Sequence, residues 1–165
     1  MPATRADLLS RLEHLGISTQ TTDHAPVFTV EEARALRGAI PGGHCKNLFL
    51  KDEKGGIWLI ACLEDARIDL KATPAKIGSR RLTFGKPDLL MEVLGVEPGS
   101  VTPFGLINDI ATRTNVILDE AMMREELLNY HPLRNDATTT IRAVDLLSFI
   151  LSCGHEPKIV AVGET

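Results

Sequence analysis

The chain has 165 residues, of which 44% are hydrophobic and 24% are charged. This length and balance suit one globular domain with its own core, so we predict a single domain over residues 1–165. No apolar run approaches the roughly 18 residues of a membrane span, and residues 1–7 lack the apolar segment of a secretory signal. We therefore expect a cytoplasmic protein with no membrane partner.

The charge balance excludes a protein that coats nucleic acid by bulk electrostatics. The chain has 18 basic and 22 acidic residues, which gives a formal net charge of −4, so no DNA partner is expected. The local pattern differs, because residues 71–86 include five basic residues and no acidic one. This stretch predicts a phosphate-contacting patch. The alternative is an ordinary solvated helix face.

The cysteines Cys45, Cys62 and Cys153 are odd in number and widely spaced, which argues against a disulfide framework or a zinc ribbon. A zinc site would have to gather these cysteines and the histidines from positions with no recognised spacing. We therefore predict structural cysteines and no metal. A nucleophilic Cys45 is the disfavoured alternative, because strand cysteines are more often buried and inert. His24 is expected at the surface or in packing.

The first half of the chain predicts two helices and a hairpin. Thr4 and Asp7 give an N-cap signal before a leucine stripe that Gly16 should terminate. A capping box at 29–32 opens the second helix. The predicted elements are a helix at about 5–15, a helix from 30 that Gly38 should close, and strands at 45–51 and 57–63 around the turn 52–56.

The second half mixes helices and strands without a regular order. Pro87 suits the first position of a helix, and Gly95 and Gly154 suit helix ends. The predicted elements are helices at 69–77, 87–94, 120–128 and 144–153, and strands at 114–118, 129–133, 138–142 and 159–162. Because strands and helices do not alternate regularly, we expect an α+β fold, a compact domain with a mixed, strongly curved central sheet.

Two short stretches carry most of the chemical information. Residues 42–51 are a glycine turn running into a strand with Lys46 among apolar neighbours. Residues 99–106 contain a G-x-x-x-P loop whose backbone amides have few side chains to shield them. Together they could hold an anionic or carbonyl-bearing ligand. Asn47 should point to the opposite face of its strand from Lys46 unless a bulge intervenes.

Four blocks in a fixed order carry a family resemblance. They are C-K-N-L-F-L-K-D at 45–52, D-L-K at 69–71, G-V-E-P-G-S-V-T-P-F-G-L at 95–106 and H-P-L-R-N-D-A-T-T-T-I at 131–141. In this order they resemble the YbaK/prolyl-tRNA-synthetase-associated editing domain family, over nearly the whole chain. With its H-P-L-x-N block and no synthetase body around it, the chain most resembles free-standing members that deacylate alanyl-tRNA(Pro).

The resemblance implies a hydrolase without metal or cofactor that acts in trans on mischarged tRNA. Its partners would be the acceptor end of tRNA(Pro) and prolyl-tRNA synthetase. The expected substrate is Ala-tRNA(Pro). The alternatives are Cys-tRNA(Pro) or Ser-tRNA deacylation, and, from another class, a non-catalytic RNA-binding module of the same fold.

The resemblance also implies the residues of the site. Lys46 would bind a phosphate or carbonyl oxygen and be the residue most needed for activity. The loop from Gly99 to Pro103, with Gly105, would present N–H groups to the substrate carbonyl. His131 is interpreted as a pocket wall or positioning group, with a structural histidine as the alternative. The other expected contacts are Asn47, Thr102, Phe104, Asn135, Thr138, Val27, Phe28 and Val30 for the substrate, and Lys51, Arg80 and Arg81 for the tRNA.

Overall fold

The computed structural model describes residues 1–26 and 30–164, with only the backbone given for residues 30, 33, 36 and 37. The helices of this range are α1 Arg5–His14, α2 Val30–Ala39, α3 Thr73–Ile77, α4 Pro87–Leu94 and α5 Ala143–Ser152, with 3₁₀ helices η1 Pro103–Asn108 and η2 Met122–Arg124. The strands are β1 Gln20–Asp23, β2 Gly43–Asp52, β3 Ile57–Leu63, β4 Leu82–Phe84, β5 Thr114–Asp119, β6 Leu127–Tyr130, β7 Ala137–Arg142 and β8 Lys158–Val160.

The strands form one mixed sheet in the order β1-β7-β6-β2-β3-β5-β8, and β4 pairs with the end of β2. The pairs β2–β6, β3–β5 and β5–β8 are parallel, whereas β1–β7, β6–β7, β2–β3 and β2–β4 are antiparallel. The predicted α+β fold with a mixed central sheet is therefore confirmed. Among the described residues, no helix has the length and apolar character needed to span a bilayer.

Side-chain alternation along β2 and β3 divides the core into two parts. Phe49 and Leu59 face the larger part, which contains α1, α4 and α5. Leu50 and Ile60 face the smaller part, together with α3 and β4. The β2–β3 register is continuous from Cys45 to Lys51 without a bulge, so successive residues of β2 serve opposite parts of the core.

Most sequence-based element predictions are confirmed. The Thr4–Asp7 capping box opens α1, and Gly16 follows that helix with a φ of 73°. The other confirmed elements are the hairpin of β2 and β3, helix α4, strands β5 and β7, and helix α5. Helix α2 begins where expected but continues through Gly38, so that glycine does not end it. Thr29 of its capping box lies outside the described residues.

The predicted helix at 120–128 is wrong. Only η2 is helical there, and Leu127 and Leu128 belong to β6. Leu128 lies opposite Gly43 in the parallel β2–β6 pair and is fully buried. Burial in the sheet therefore overrides the local helical preference. The predicted strand at 129–133 stops at Tyr130, since Pro132 has no N–H and Leu133 adopts a φ of 74°.

The remaining corrections concern the ends of two elements and three short elements that were not predicted. The helix predicted at 69–77 begins only at Thr73, because the N–H groups of Ala72 and Thr73 both bond the Asp69 carbonyl in a preceding turn. Strand β8 ends at Val160, since the Val162 N–H donates to the Asp119 side chain at 3.0 Å. The sequence analysis missed β1, β4 and η1, which are short elements without alternation of their own.

We predict that Gly85→Ala destabilises the fold by about 1–3 kcal/mol, the cost of overpacking a well-packed site. A Cβ at Gly85 would overlap the ring of Phe49, whose carbonyl accepts the Gly85 N–H at 2.9 Å. The matched control is Gly38→Ala in α2, where a Cβ meets nothing within 4 Å and helix propensity should add about 0.5–1 kcal/mol. Urea denaturation gives the free energy of unfolding of both variants. Equal denaturation midpoints for Gly85→Ala and Gly38→Ala would contradict the prediction.

Candidate functional site

Strand β2 exchanges partners along one edge and leaves an opening there. Gly43 and His44 pair with β6, and residues 50–52 pair with β4. Between them, residues 45–48 pair with β3 on the other edge and with no strand on this one, within the described part of the chain. The opening lies beside Lys46 and Asn47, the two residues that the sequence analysis selected.

The glycine turn that leads into this opening has a fixed shape. Gly42 has a φ of 102°, and a Cβ on it would lie 3.0 Å from Asn129 Nδ2. Asn129 Nδ2 donates to the carbonyls of Pro41 at 3.0 Å and Gly43 at 3.2 Å, and its Oδ1 accepts from Thr140 Oγ1 at 2.6 Å. The turn therefore requires glycine, and a buried amide holds it.

Lys46 lies on the face of β2 that carries the smaller part of the core. It is opposite Cys62 on β3, its side chain is half-buried, and its Nζ donates to the Ala66 carbonyl at 2.5 Å. Ala66 lies in the turn after β3, where its N–H bonds the Leu63 carbonyl at 3.0 Å. The ammonium group is thus held by a neutral backbone acceptor.

The turn around Ala66 is braced by residues 162–164. The Glu164 N–H donates to the Arg67 carbonyl at 2.7 Å, and its carboxylate forms an ion pair with Lys76 at 2.7 Å. A Cβ placed on Gly163 would lie 3.8 Å from the Ala66 Cβ. The carbonyl that holds Lys46 is therefore fixed by the end of the described chain.

Asn47 lies on the opposite face, as the strand alternation predicted. Its Nδ2 donates to the Val101 carbonyl at 3.1 Å, so it contacts the G-x-x-x-P loop directly. Its Oδ1 is buried and has no hydrogen-bond partner among the described residues. A buried acceptor without a partner is rare in native proteins, and here it lies beside the opening in the sheet.

The G-x-x-x-P loop approaches the H-P-L-x-N block. Gly99 has a φ of 91°, and a Cβ on it would lie 3.9 Å from Asn135 Nδ2. Within the described residues, the N–H groups of Val101 and Thr102 donate to no protein acceptor. Thr102 is fully buried and Val101 is half-buried, so the Val101 N–H is the candidate donor for an oxyanion or a carbonyl oxygen.

The next residues of the loop are in the core. Thr102 caps η1 by accepting the Phe104 N–H at 3.2 Å, and Pro103 is buried. The fully buried Phe104 ring packs edge-to-face on Tyr130 and Phe149. A Cβ on Gly105 would lie 3.0 Å from the Leu94 carbonyl oxygen. Phe104 and Gly105 therefore pack in the core and support the loop.

His131 follows β6 and is largely desolvated. Its Nδ1 donates to the Ala137 carbonyl at 3.0 Å, because a carbonyl can only accept, and this leaves Nε2 unprotonated in the neutral ring. Burial lowers the pKa of His131, and the nearby His24 ring lowers it further, against the raising effect of the Ala137 carbonyl. His131 is therefore neutral at physiological pH and offers one acceptor nitrogen.

His24 is a site residue that the sequence analysis missed. Its ring lies 6.5 Å from that of His131, and its Nε2 bonds Thr138 Oγ1 at 2.8 Å while Nδ1 bonds the Ala25 carbonyl at 2.8 Å. The His24 N–H donates to the Asp136 carbonyl at 3.0 Å. No local signal pointed to His24, because only the pairing of β1 with β7 puts residue 24 beside the H-P-L-x-N block.

The remaining predicted site residues fall into two groups. Val27 and Phe28 lie outside the described residues, as does the side chain of Val30. Lys51, Arg80 and Arg81 are exposed around the β2–β4 edge. Within the basic stretch, Lys76 forms an ion pair with Glu164 at 2.7 Å.

The cysteines are unsuited to nucleophilic chemistry. Burial raises the pKa of Cys45 to about 12 and that of Cys62 to about 11, so both stay protonated at neutral pH. A protonated, largely buried thiol is a weak nucleophile, which disfavours the alternative role for Cys45. In the part of the chain that the structure describes, no cluster of His, Cys, Asp and Glu side chains is arranged to hold a metal ion.

Comparisons with known proteins identify relatives of this chain. The family model of the aminoacyl-tRNA editing domain matches residues 24–149. The prolyl-tRNA synthetase associated domain-containing protein 1 of cattle (Bos taurus) is 38% identical, and the match covers 94% of each chain. The prolyl-tRNA editing protein ProX of Acetoanaerobium sticklandii is 32% identical over 93% of this chain and 94% of that one.

A solved structure shows the same fold. It is that of a candidate trans-editing enzyme for prolyl tRNA synthetase, with a TM-score of 0.71 over 100% of both chains and 22% sequence identity. Because the family model spans most of the sequence and both relatives match it nearly from end to end, this chain belongs to the aminoacyl-tRNA editing domain family.

Proposed function

We propose that the protein is a trans-acting deacylase of mischarged tRNA, with Ala-tRNA(Pro) as its substrate. The observation that carries the proposal is the opening at residues 45–48 of β2, with the cationic Lys46 on one face of the strand and, on the other face, Asn47, whose amide oxygen is unpartnered and whose amide nitrogen bonds the G-x-x-x-P loop. Family membership supports the class of reaction. The names of the bacterial and cattle relatives support tRNA(Pro) as the substrate RNA and prolyl-tRNA synthetase as a partner. The cytoplasm is the corresponding location.

The reaction asks little of a nucleophilic side chain, because an aminoacyl ester is already activated. Water adds to the ester carbonyl, and the oxyanion that forms is stabilised by the N–H group of Val101. The C–O bond to the ribose then breaks, releasing the amino acid and the free hydroxyl of the terminal adenosine. Positioning and oxyanion stabilisation are therefore the main contributions of the protein.

The polar side chains around the opening would orient the two ends of the substrate. Lys46 can exchange its bond to the Ala66 carbonyl for a phosphate oxygen of the acceptor end, which is the stronger, charged acceptor. Neutral His131 and the Asn47 Oδ1 can accept hydrogen bonds from the α-amino group of the aminoacyl moiety. A water activated by the neighbouring ribose hydroxyl needs no protein base.

The RNA would be held beside the opening by the exposed cations at the β2–β4 edge. Lys51 lies directly opposite Thr83 of β4, and Arg80 and Arg81 immediately precede that strand. Their charges are available to phosphates because, within the described residues, none of the three forms an ion pair. We therefore propose that Lys51, Arg80 and Arg81 contact phosphates.

We predict that Lys46→Ala lowers kcat/KM for Ala-tRNA(Pro) about 100- to 1,000-fold, the usual loss when a charge contact to the transition state is removed. The matched control is Lys54→Ala, which removes an exposed lysine from the turn after β2. Hydrolysis is measured with labelled alanyl ester and no added metal. Wild-type activity in Lys46→Ala, or loss of wild-type activity with EDTA, would contradict the proposal.

The identity of the preferred acyl group can be tested with esters of amino acids that differ in size. A panel of alanyl, cysteinyl, seryl and prolyl esters of the same tRNA should give the fastest hydrolysis for alanine and the slowest for proline, because a small pocket admits the error and excludes the correct product. Faster hydrolysis of the cysteinyl or seryl ester would move the assignment to those substrates. Absence of hydrolysis together with tight tRNA binding would favour a non-catalytic RNA-binding module.

We predict that the double variant Arg80→Ala/Arg81→Ala weakens tRNA binding and flattens its salt dependence. Each lost phosphate contact should lower the log–log slope by about one unit. Lys158→Ala, an exposed lysine in β8, is the control and should leave the slope unchanged. Fluorescence anisotropy at several salt concentrations measures the slope. Equal slopes in the double variant and the wild type would show that the RNA is held elsewhere.

A further inference from the structure

Phe84 is an aromatic side chain on an edge strand with 63% of its surface exposed. It ends β4, which pairs only with β2 among the described residues, so its outer edge is open. Single exposed apolar side chains are common, and Ile110 is more exposed at 87%. Exposure alone therefore carries no conclusion, and the surroundings of Phe84 decide what its ring can contact.

The surroundings of Phe84 are cationic. Arg80, Arg81 and Lys86 lie within four residues of Phe84 in the chain, and Lys51 follows Leu50 on β2 with its side chain on the opposite face. All four are exposed. The part of the chain that the structure describes contains no ion pair to any of these four. The nearby acidic residues Glu53 and Asp88 leave this surface with an excess of positive charge.

Phe84 also shares a sheet face with Lys46. It lies directly opposite Leu50, and Leu50 is four residues from Lys46 on the same strand, so all three side chains lie on one face. At about 3.3 Å per residue, the distance along β2 from Lys46 to Leu50 is roughly 13 Å. Stacked nucleotides advance about 3.4 Å each, so this distance corresponds to about four nucleotides of single strand.

We propose that Phe84 is a stacking platform for an unpaired nucleotide near the 3′ end of the RNA substrate. The inference rests on the proposed function, because that proposal places the acceptor end of the RNA at Lys46. An aromatic ring among unpaired cations is the combination that binds single-stranded nucleic acid, since the cations contact phosphates and the ring stacks on a base. The alternative occupant of this surface is an acidic protein partner. The experiments below distinguish it from RNA.

The first test compares substrates of different length. Phe84→Ala should weaken binding of Ala-tRNA(Pro) about 5- to 100-fold, seen as a raised KM with unchanged kcat, because one base–aromatic contact is lost. Hydrolysis of alanyl-adenosine should be unchanged, since this substrate has no nucleotide that reaches Phe84. Phe84→Trp should restore wild-type KM, whereas Phe84→Leu, which keeps apolar surface without a ring, should not. Ile110→Ala is the matched control for loss of an exposed apolar side chain.

The second test separates stacking from charge. Phe84→Ala should lower RNA affinity without changing the salt slope, unlike the Arg80→Ala/Arg81→Ala variant. In Phe84→Trp, the fluorescence of the new indole should be quenched by a non-aminoacylated single-stranded oligonucleotide with the 3′-terminal sequence of tRNA. The sole natural tryptophan, Trp58, is only 9% exposed and gives a constant background.

The outcomes distinguish this inference from the proposed function. Quenching of Phe84→Trp by the oligonucleotide supports stacking even if the wild type hydrolyses no ester, in which case only the proposed function fails. The inference is overturned if Phe84→Ala and Ile110→Ala bind RNA equally well, or if Phe84→Ala slows alanyl-adenosine hydrolysis as much as tRNA hydrolysis. It is also overturned if Phe84→Ala abolishes self-association in sedimentation without affecting RNA binding.

Discussion

The candidate site depends on the partner exchange along β2. A strand in the middle of a sheet normally bonds a neighbour on both edges, but β2 leaves β6 after His44 and meets β4 only at Leu50. The gap exposes a short length of strand edge without ending the strand, because β3 continues to hold the other edge. Lys46 and Asn47 therefore stand on a rigid support while remaining accessible, a combination that a loop could not provide.

The sequence predicted the fold wherever a local signal and the tertiary structure agree. Helix α4 is bounded by Pro87 and Gly95, each of which limits the backbone by its own chemistry, and both boundaries are correct. The helix predicted at 120–128 failed because the evidence for β6 is its parallel pairing with Gly43 and His44, far away in the chain. Non-local pairing of this kind has no local signature, and the short strands β1 and β4 were missed for the same reason.

The positions of the candidate site residues could be predicted from the sequence only in part. Period-two alternation placed Lys46 and Asn47 on opposite faces, and the continuous β2–β3 register confirms it. Which face meets the G-x-x-x-P loop could not be known, because that depends on how the loop packs, and the hydrogen bond from Asn47 to Val101 supplies the answer. His24 was overlooked since its proximity to His131 exists only through the pairing of β1 with β7.

The fold holds two of its lysines in different ways. Lys76 bonds the Glu164 carboxylate, so its charge is cancelled and it stabilises the chain end. Lys46 bonds the Ala66 carbonyl, which orients the ammonium group but leaves its positive charge uncompensated by that contact. A phosphate oxygen is a stronger acceptor than a carbonyl because charge-assisted hydrogen bonds are about twice as strong as neutral ones. The same Glu164 that pairs with Lys76 also donates its N–H to Arg67 beside Ala66, so one residue offsets one cation and braces the turn that holds the other.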